Sequence, residues 1–159
     1  MKLKNYTSGV SADKSVASIE KILVQHGATN IMKEYGPAGE LSSIAFMIKD
    51  PKISSPDNKQ GLMSFKLYAR SEIVAKILQE EYIRPRKGTF KKIADQAEKT
   101  AWKILYDAIS SQMALVDLGQ REFLAVFLAD AYDTQKRMTF FEKIKSGQLK
   151  QLMTGTGEQ

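Results

Sequence analysis

The chain contains no cysteine. Disulfides, thiolate metal sites and cysteine nucleophiles are therefore excluded. Histidine is almost as scarce: His26 is the single one in 159 residues, so no multi-histidine metal centre forms within one chain. No stretch approaches the ~20 consecutive apolar residues that span a bilayer. The segment Met1 to Val10 lacks the apolar run of a signal peptide, and a cytoplasmic setting with reduced thiol chemistry is expected. Neither a Walker lysine loop nor a Gly-x-Gly-x-x-Gly turn is present. Gly36 and Gly39 have a sufficient reason in a hairpin turn. There is no Gly-x-Ser-x-Gly elbow, and the Ser-x-x-Lys match at Ser11–Lys14 lacks its partner motifs. Internal repeats, heptad arrays and low-complexity tracts are also missing.

What is present fits one globular domain over residues 1–159, with an apolar fraction of 43% and a charged fraction of 26%. Val16, Ile19, Ile22 and Leu23 follow helical spacing, with Ser11 or Asp13 as the cap and Gly27 as the stop. Three extended segments follow. Thr29 to Tyr35 leads through a Gly-Pro turn into Glu40 to Lys49, which alternates, and Gly61 to Tyr68 alternates again. An antiparallel meander with helices on one face is expected. Ser71 to Tyr82 reads as a helix capped by Ser71 and ended at Arg84-Pro85. Thr89 is expected to cap a long helix from about Phe90 to Leu118, closed by Gly119. That helix is apolar on two sides, so it is either central to the fold or shared with a second copy of the chain. A helix from Arg121 to Ala131 and a short one opened by the capping box Thr139-Phe140-Phe141-Glu142 complete the order. The expected class is α+β: a three-stranded antiparallel sheet packed with helices, then a helical C-terminal half with one long helix. Residues 1–83 and 84–159 are two parts of one domain, because neither has much core alone.

Charge is the most uneven property of the chain. Arg84, Arg86, Lys87, Lys91, Lys92, Lys99 and Lys103 face only Asp95 and Glu98 between Tyr82 and Lys103, so 22 residues carry five of the six net positive charges. Such a concentration is the electrostatic footprint of a protein that meets phosphate. Lys92, Lys99 and Lys103 share one helix face. Lys91 and Lys92 open the helix, where cations oppose its dipole, which hints that they serve something other than helix stability. Tyr68, Tyr82 and Phe90 flank the basic stretch and are candidate stacking platforms for bases, with Tyr35 near the hairpin. The plain alternative is a solvated helix face with aromatics packed at the core edge.

Catalytic patterns are weaker. His26 ends the first helix, where binding to free carbonyls explains it without catalysis. Asp107 with Asp117, Asp130 with Asp133, and Glu80 with Glu81 have no recognised metal spacing. No catalytic residue, metal or cofactor is expected, and the chain is read as a non-enzyme.

Ala101-Trp102-Lys103, Gln112-Met113-Ala114-Leu115 and Phe127-Leu128 resemble a family of short proteins from bacteriophages, prophages and mobile elements. The N-terminal plan is similar too: Lys4-Asn5-Tyr6-Thr7, a helix, His26-Gly27-Ala28, then hairpin strands. The resemblance implies a phage or mobile-element origin and a host-cytoplasm location. It carries no activity and no functional residue.

Together these readings predict a homo-oligomeric nucleic-acid-binding accessory protein that holds single-stranded DNA through the Arg84–Lys103 segment. The alternative is a protein-interaction factor, a host or defence-system modulator acting through the helical half. A small metal-dependent nuclease is the third.

Overall fold

The computed structural model of the chain describes residues 8–50, 54, 56, 58–80, 86 and 88–147. The element order is α1 (Ala12–Gln25), β1 (Ala28–Tyr35), β2 (Leu41–Lys49), β3 (Leu62–Tyr68), α2 (Ser71–Glu80), α3 (Thr89–Asp117), α4 (Phe123–Phe127), β4 (Tyr132–Asp133), β5 (Met138–Thr139) and α5 (Phe140–Gly147). The fold is α+β, with a three-stranded antiparallel sheet in the order β1-β2-β3.

Alternation in β2 and β3 divides the sheet into two faces. Ile44, Phe46 and Ile48 pair across the strands with Leu67, Phe65 and Met63. This inner face meets α1 and α3 in one core with Val16, Ile19, Leu23, Trp102, Ile109 and Met113. Phe46 and Phe65 stack at 5.3 Å between ring centroids, and Phe127 of α4 meets both edge-on at 6.4 Å. Burying rings of this size contributes most of the sheet's anchorage.

Some local expectations hold and others change. Ser11 caps α1 through its hydroxyl, which accepts from the Lys14 N–H, and Gly27 leaves the helix at φ 94°. In contrast, Ser71 and Thr89 are the first residues of their helices and not caps. Gly88, at φ 90°, precedes α3, and the Thr89 hydroxyl accepts instead from the Arg86 N–H at 3.0 Å. The expected helix over Arg121–Ala131 is only α4 followed by a 3-10 turn, Leu128–Asp130. It ends early because Ala131 forms a β-bridge with Phe65. The next residues form the β4–β5 hairpin, where the sequence reading placed no strand. The capping box at α5 forms as expected: the Thr139 N–H donates to Glu142 and the Glu142 N–H to the Thr139 hydroxyl.

Each apolar side of α3 is buried within the chain over part of its length. Ile93 and Ala97 form a small cluster with Leu78 of α2, while Trp102, Ile109 and Met113 enter the main core. Its 29 residues span about 43 Å. Helix α1 runs beside the later part of α3 in the same direction. Its start is tied by the Gln96 amide donating to the Ser8 carbonyl at 3.3 Å, and its end by His26 meeting Asp117 at 2.9 Å. The first turns of α3, before Gln96, therefore extend past α1 and pack against α2.

Candidate nucleic-acid interface

The basic segment sits at this α2–α3 end. Lys91 and Lys92 are exposed in the first turn of α3, where no acidic side chain accompanies the free N–H groups. Arg86 is exposed just before them. Phe90, between Thr89 and Lys91, is 57% exposed. Phe90, Lys91 and Lys92 share the first turn of α3 and fan out about 100° apart around the helix end, and Arg86 precedes that turn. Tyr82, Arg84 and Lys87 lie outside the described residues.

The other candidates separate from this group. Lys99 lies about 12 Å and Lys103 about 18 Å along the helix from Lys91. Lys99 is half-buried and lines a cleft shared with Asp13, Asp95 and Glu98. The Lys103 ammonium pairs with Asp107 one turn on and lies 4.7 Å from the Tyr106 ring centroid. Its charge is therefore largely answered within the helix, and the single cationic face that the spacing suggests is divided. Glu98 has a structural use that the sequence did not suggest. Its carboxylate accepts the Leu41 N–H at 3.0 Å, and Trp102, four residues on, donates its indole N–H to the Leu41 carbonyl at 3.1 Å. Two side chains on one face of α3 thus hold both backbone groups of Leu41 where β2 begins. Trp102 has no exposed surface, so it is core and not a platform.

Tyr68 lies at the far end of α2, where β3 leads into that helix. Its ring already carries the Arg70 guanidinium at 4.7 Å and the Lys66 ammonium at 5.2 Å. Burial pushes its hydroxyl above the usual tyrosine range. Lys66 itself is a feature that sequence reasoning missed. Its side chain is buried among Tyr68, Tyr132 and Glu34, with its ammonium 2.6 Å from the Glu34 carboxylate. Burial opposes the Lys66 charge most strongly of any single cause, but Glu34 together with Tyr68 and Tyr132 outweighs it and holds the ammonium above its ordinary range. The Lys66 hydrogen bond in turn keeps the Glu34 carboxyl low. The signal available in the sequence was Lys66 standing in a strand otherwise rich in apolar residues.

Acid–base and metal chemistry find little support. His26 is at the end of α1, with Nδ1 2.7 Å from the Ile22 carbonyl and Nε2 2.9 Å from Asp117. Asp130 and Asp133 do not face a common ligand: Asp133 accepts the Gln135 and Lys136 N–H groups of its own turn. Among the described residues no three histidine or carboxylate side chains group as a metal site, and no helix is long and apolar enough to cross a membrane. The chain matches no protein-family model, no curated protein and no solved structure.

Proposed function

We propose that this is a non-enzymatic nucleic-acid-binding accessory protein of a phage or mobile element that holds single-stranded DNA at the α2–α3 end. The observation that carries the reading is the exposed group Arg86, Lys91 and Lys92 around an exposed Phe90 at a helix start. Cations neutralise phosphate and release counterions, and an exposed aromatic ring offers a face on which a base of any identity stacks. In sequence, Arg84 and Lys87 belong to the same stretch and add two further charges. Lys103 plays a minor part, since a lysine already paired with a carboxylate releases no counterion of its own.

A second reading, a protein-interaction factor, is favoured by one observation. Leu128, Phe140 and Phe141 are exposed together around the start of α5. Apolar surface of this kind marks protein contacts when it is contiguous.

Fluorescence anisotropy with a labelled oligothymidine separates the two. Replacing Arg86, Lys91 and Lys92 together with glutamate is expected to weaken binding by at least about a hundredfold at low salt. Lys103→Gln is expected to change it less than about threefold. Equal losses from both variants, or no binding by the native chain at low salt, contradict the proposal and favour the interaction factor.

A further inference from the structure

The two edges of the three-stranded sheet are finished differently. The Ser42 carbonyl accepts the Ala69 N–H at 3.2 Å, and the Asp50 N–H donates to the Gly61 carbonyl at 2.8 Å. Backbone direction alternates along a strand. Ile44, Phe46 and Ile48 therefore turn their backbone groups towards β3, where Leu67, Phe65 and Met63 receive them. The groups of Leu62, Ser64 and Lys66 point away from β2, and this edge is covered. The Asn58 side chain binds both the N–H and the carbonyl of Leu62, at 3.0 and 2.8 Å. Farther along, Phe65 bridges to Ala131.

The β1 edge is open. Ser43, Ala45 and Met47 pair with Glu34, Met32 and Asn30, and the Glu34 carbonyl also accepts the Ser42 hydroxyl at 2.9 Å. The N–H and C=O groups of Ile31 and Lys33 thus point outwards, and they have no partner among the described residues. Natural sheets blunt a free edge with a short strand or a lysine held over it. Strand β1 is eight residues long, and the Lys33 ammonium is drawn off to Glu20 of α1 at 2.8 Å. Register shifts at Ala28/Asn30 and at Glu34/Tyr35 leave one regular stretch, Asn30 to Glu34. At its centre Met32 is 57% exposed.

We infer that β1 pairs antiparallel with β1 of a second copy of the chain, about a two-fold axis at Met32. In this register Ile31 faces the partner's Lys33 and exchanges both backbone hydrogen bonds with it. The axis repeats the exchange, so the open groups of both strands are all used. Met32 meets the partner's Met32 on the outer face of the sheet, and Asn30 faces the partner's Glu34 there. Asn30 is exposed, and its amide has no partner among the described residues. Glu34 uses only Oε2 for Lys66 and Ser43. A free amide donor therefore meets a free carboxylate oxygen, twice. No like charges stand opposite each other, whereas an axis at Lys33 sets two lysines face to face. Strand β1 thus supplies both halves of its own complement, which selects a second copy over an unrelated extended peptide. Because the β3 edges are covered, the pairing closes at two chains and builds no fibre. It does not rest on the nucleic-acid reading.

Sedimentation equilibrium of the full chain tests the pairing. An interface this small belongs with weak associations, so a dissociation constant of about 1–100 μM is expected. The mass then rises with concentration towards twice the 17.8 kDa of one chain. Lys33→Pro removes an outward N–H and no bond to β2, and is expected to weaken association at least about tenfold. Met32→Lys, at an exposed position, sets two cations across the axis. It is expected to weaken association at least about fivefold without lowering the melting temperature. The chain has no cysteine of its own. Met32→Cys is expected to give a disulfide-linked dimer under mild oxidation, since the Cα atoms of such a pair lie ~4.5 Å apart. Asn30→Cys lies about 14 Å from its copy in this register and is expected to stay unlinked. A chain that remains monomeric up to about 1 mM overturns the inference. So does a dimer that neither Lys33→Pro nor Met32→Lys weakens. Equal cross-linking of Asn30→Cys and Met32→Cys overturns the register.

Discussion

His26 has an acceptor opposite each ring nitrogen: the Ile22 carbonyl at Nδ1 and the Asp117 carboxylate at Nε2. Both contacts are hydrogen bonds only when both nitrogens carry protons, so the pair selects the imidazolium. Burial works against that charge, yet the carbonyl and Asp117 prevail and the group is held above its usual range. A raised folded value means that the stabilisation is complete below about pH 6.5, the unfolded value, and fades as pH rises through the folded one. Asp117 is 64% exposed, so the contribution is modest, about 0.5–1 kcal/mol. His26→Asn is expected to lower stability at pH 5.5 and to change it little at pH 9, as read from urea midpoints. Asp130 behaves as a second, unfavourable titration. Burial pushes its carboxyl up to about 6, so the folded state favours the protonated form. Stability from this group is present below its unfolded value and is lost as pH rises through 6. Asp130→Asn is expected to stabilise the protein by about 1–3 kcal/mol at pH 8 and to give almost nothing at pH 3.5. A variant equally stabilised at both pH values would show that the carboxyl is not the cause.

At the scale of elements, the start of α3 sets two demands against each other. Helix N-termini favour anions, yet Lys91 and Lys92 occupy the first turn without an acidic neighbour there. Lys91→Glu with Lys92→Glu is expected to raise thermal stability, by about 0.3–1 kcal/mol per site, while it removes oligothymidine binding. Opposite signs in melting and binding mark a cost kept for function. Loss of binding with lower stability would point to misfolding. The conflict was legible in the sequence because dipole and charge are both local. So were α1, with Ser11 and Gly27 at its ends, the alternation in β2 and β3, and the Thr139–Glu142 box. The β4–β5 hairpin was not, since two-residue strands carry no periodicity and its turn uses Arg137, not glycine, at φ 54°. The fates of Lys99 and Lys103 were hidden as well. Helical spacing puts Lys92, Lys99 and Lys103 on one face. It does not show that the first turns of α3 pass beyond α1, or that Asp107 answers Lys103. The Glu34–Lys66 pair joins strands 32 residues apart, and only the register of the sheet brings them together.

For the whole molecule, the arrangement is a sheet and helix body with its core around Trp102, from which the α2–α3 pair extends on its own small cluster of Leu78, Ile93 and Ala97. The parts before and after residue 84 share one core, since α3 supplies Trp102, Ile109 and Met113 to the sheet. Ile93 and Ala97 on one side of α3 and Trp102, Ile109 and Met113 on the other are thereby buried within one chain, while Ala108, farther along the first side, stays exposed. The basic end then stands apart from the acidic cleft that holds Lys99, and under the proposal its charges act together on an outside polyanion.

The salt dependence of oligothymidine binding tests this most directly. Three to five cations at the α3 start predict that log affinity falls with log salt with a slope of about −2 to −3.5. The Lys91→Glu, Lys92→Glu chain is expected to lose measurable affinity over the same salt range. A native slope near zero, or one that the double variant leaves unchanged, would contradict the account.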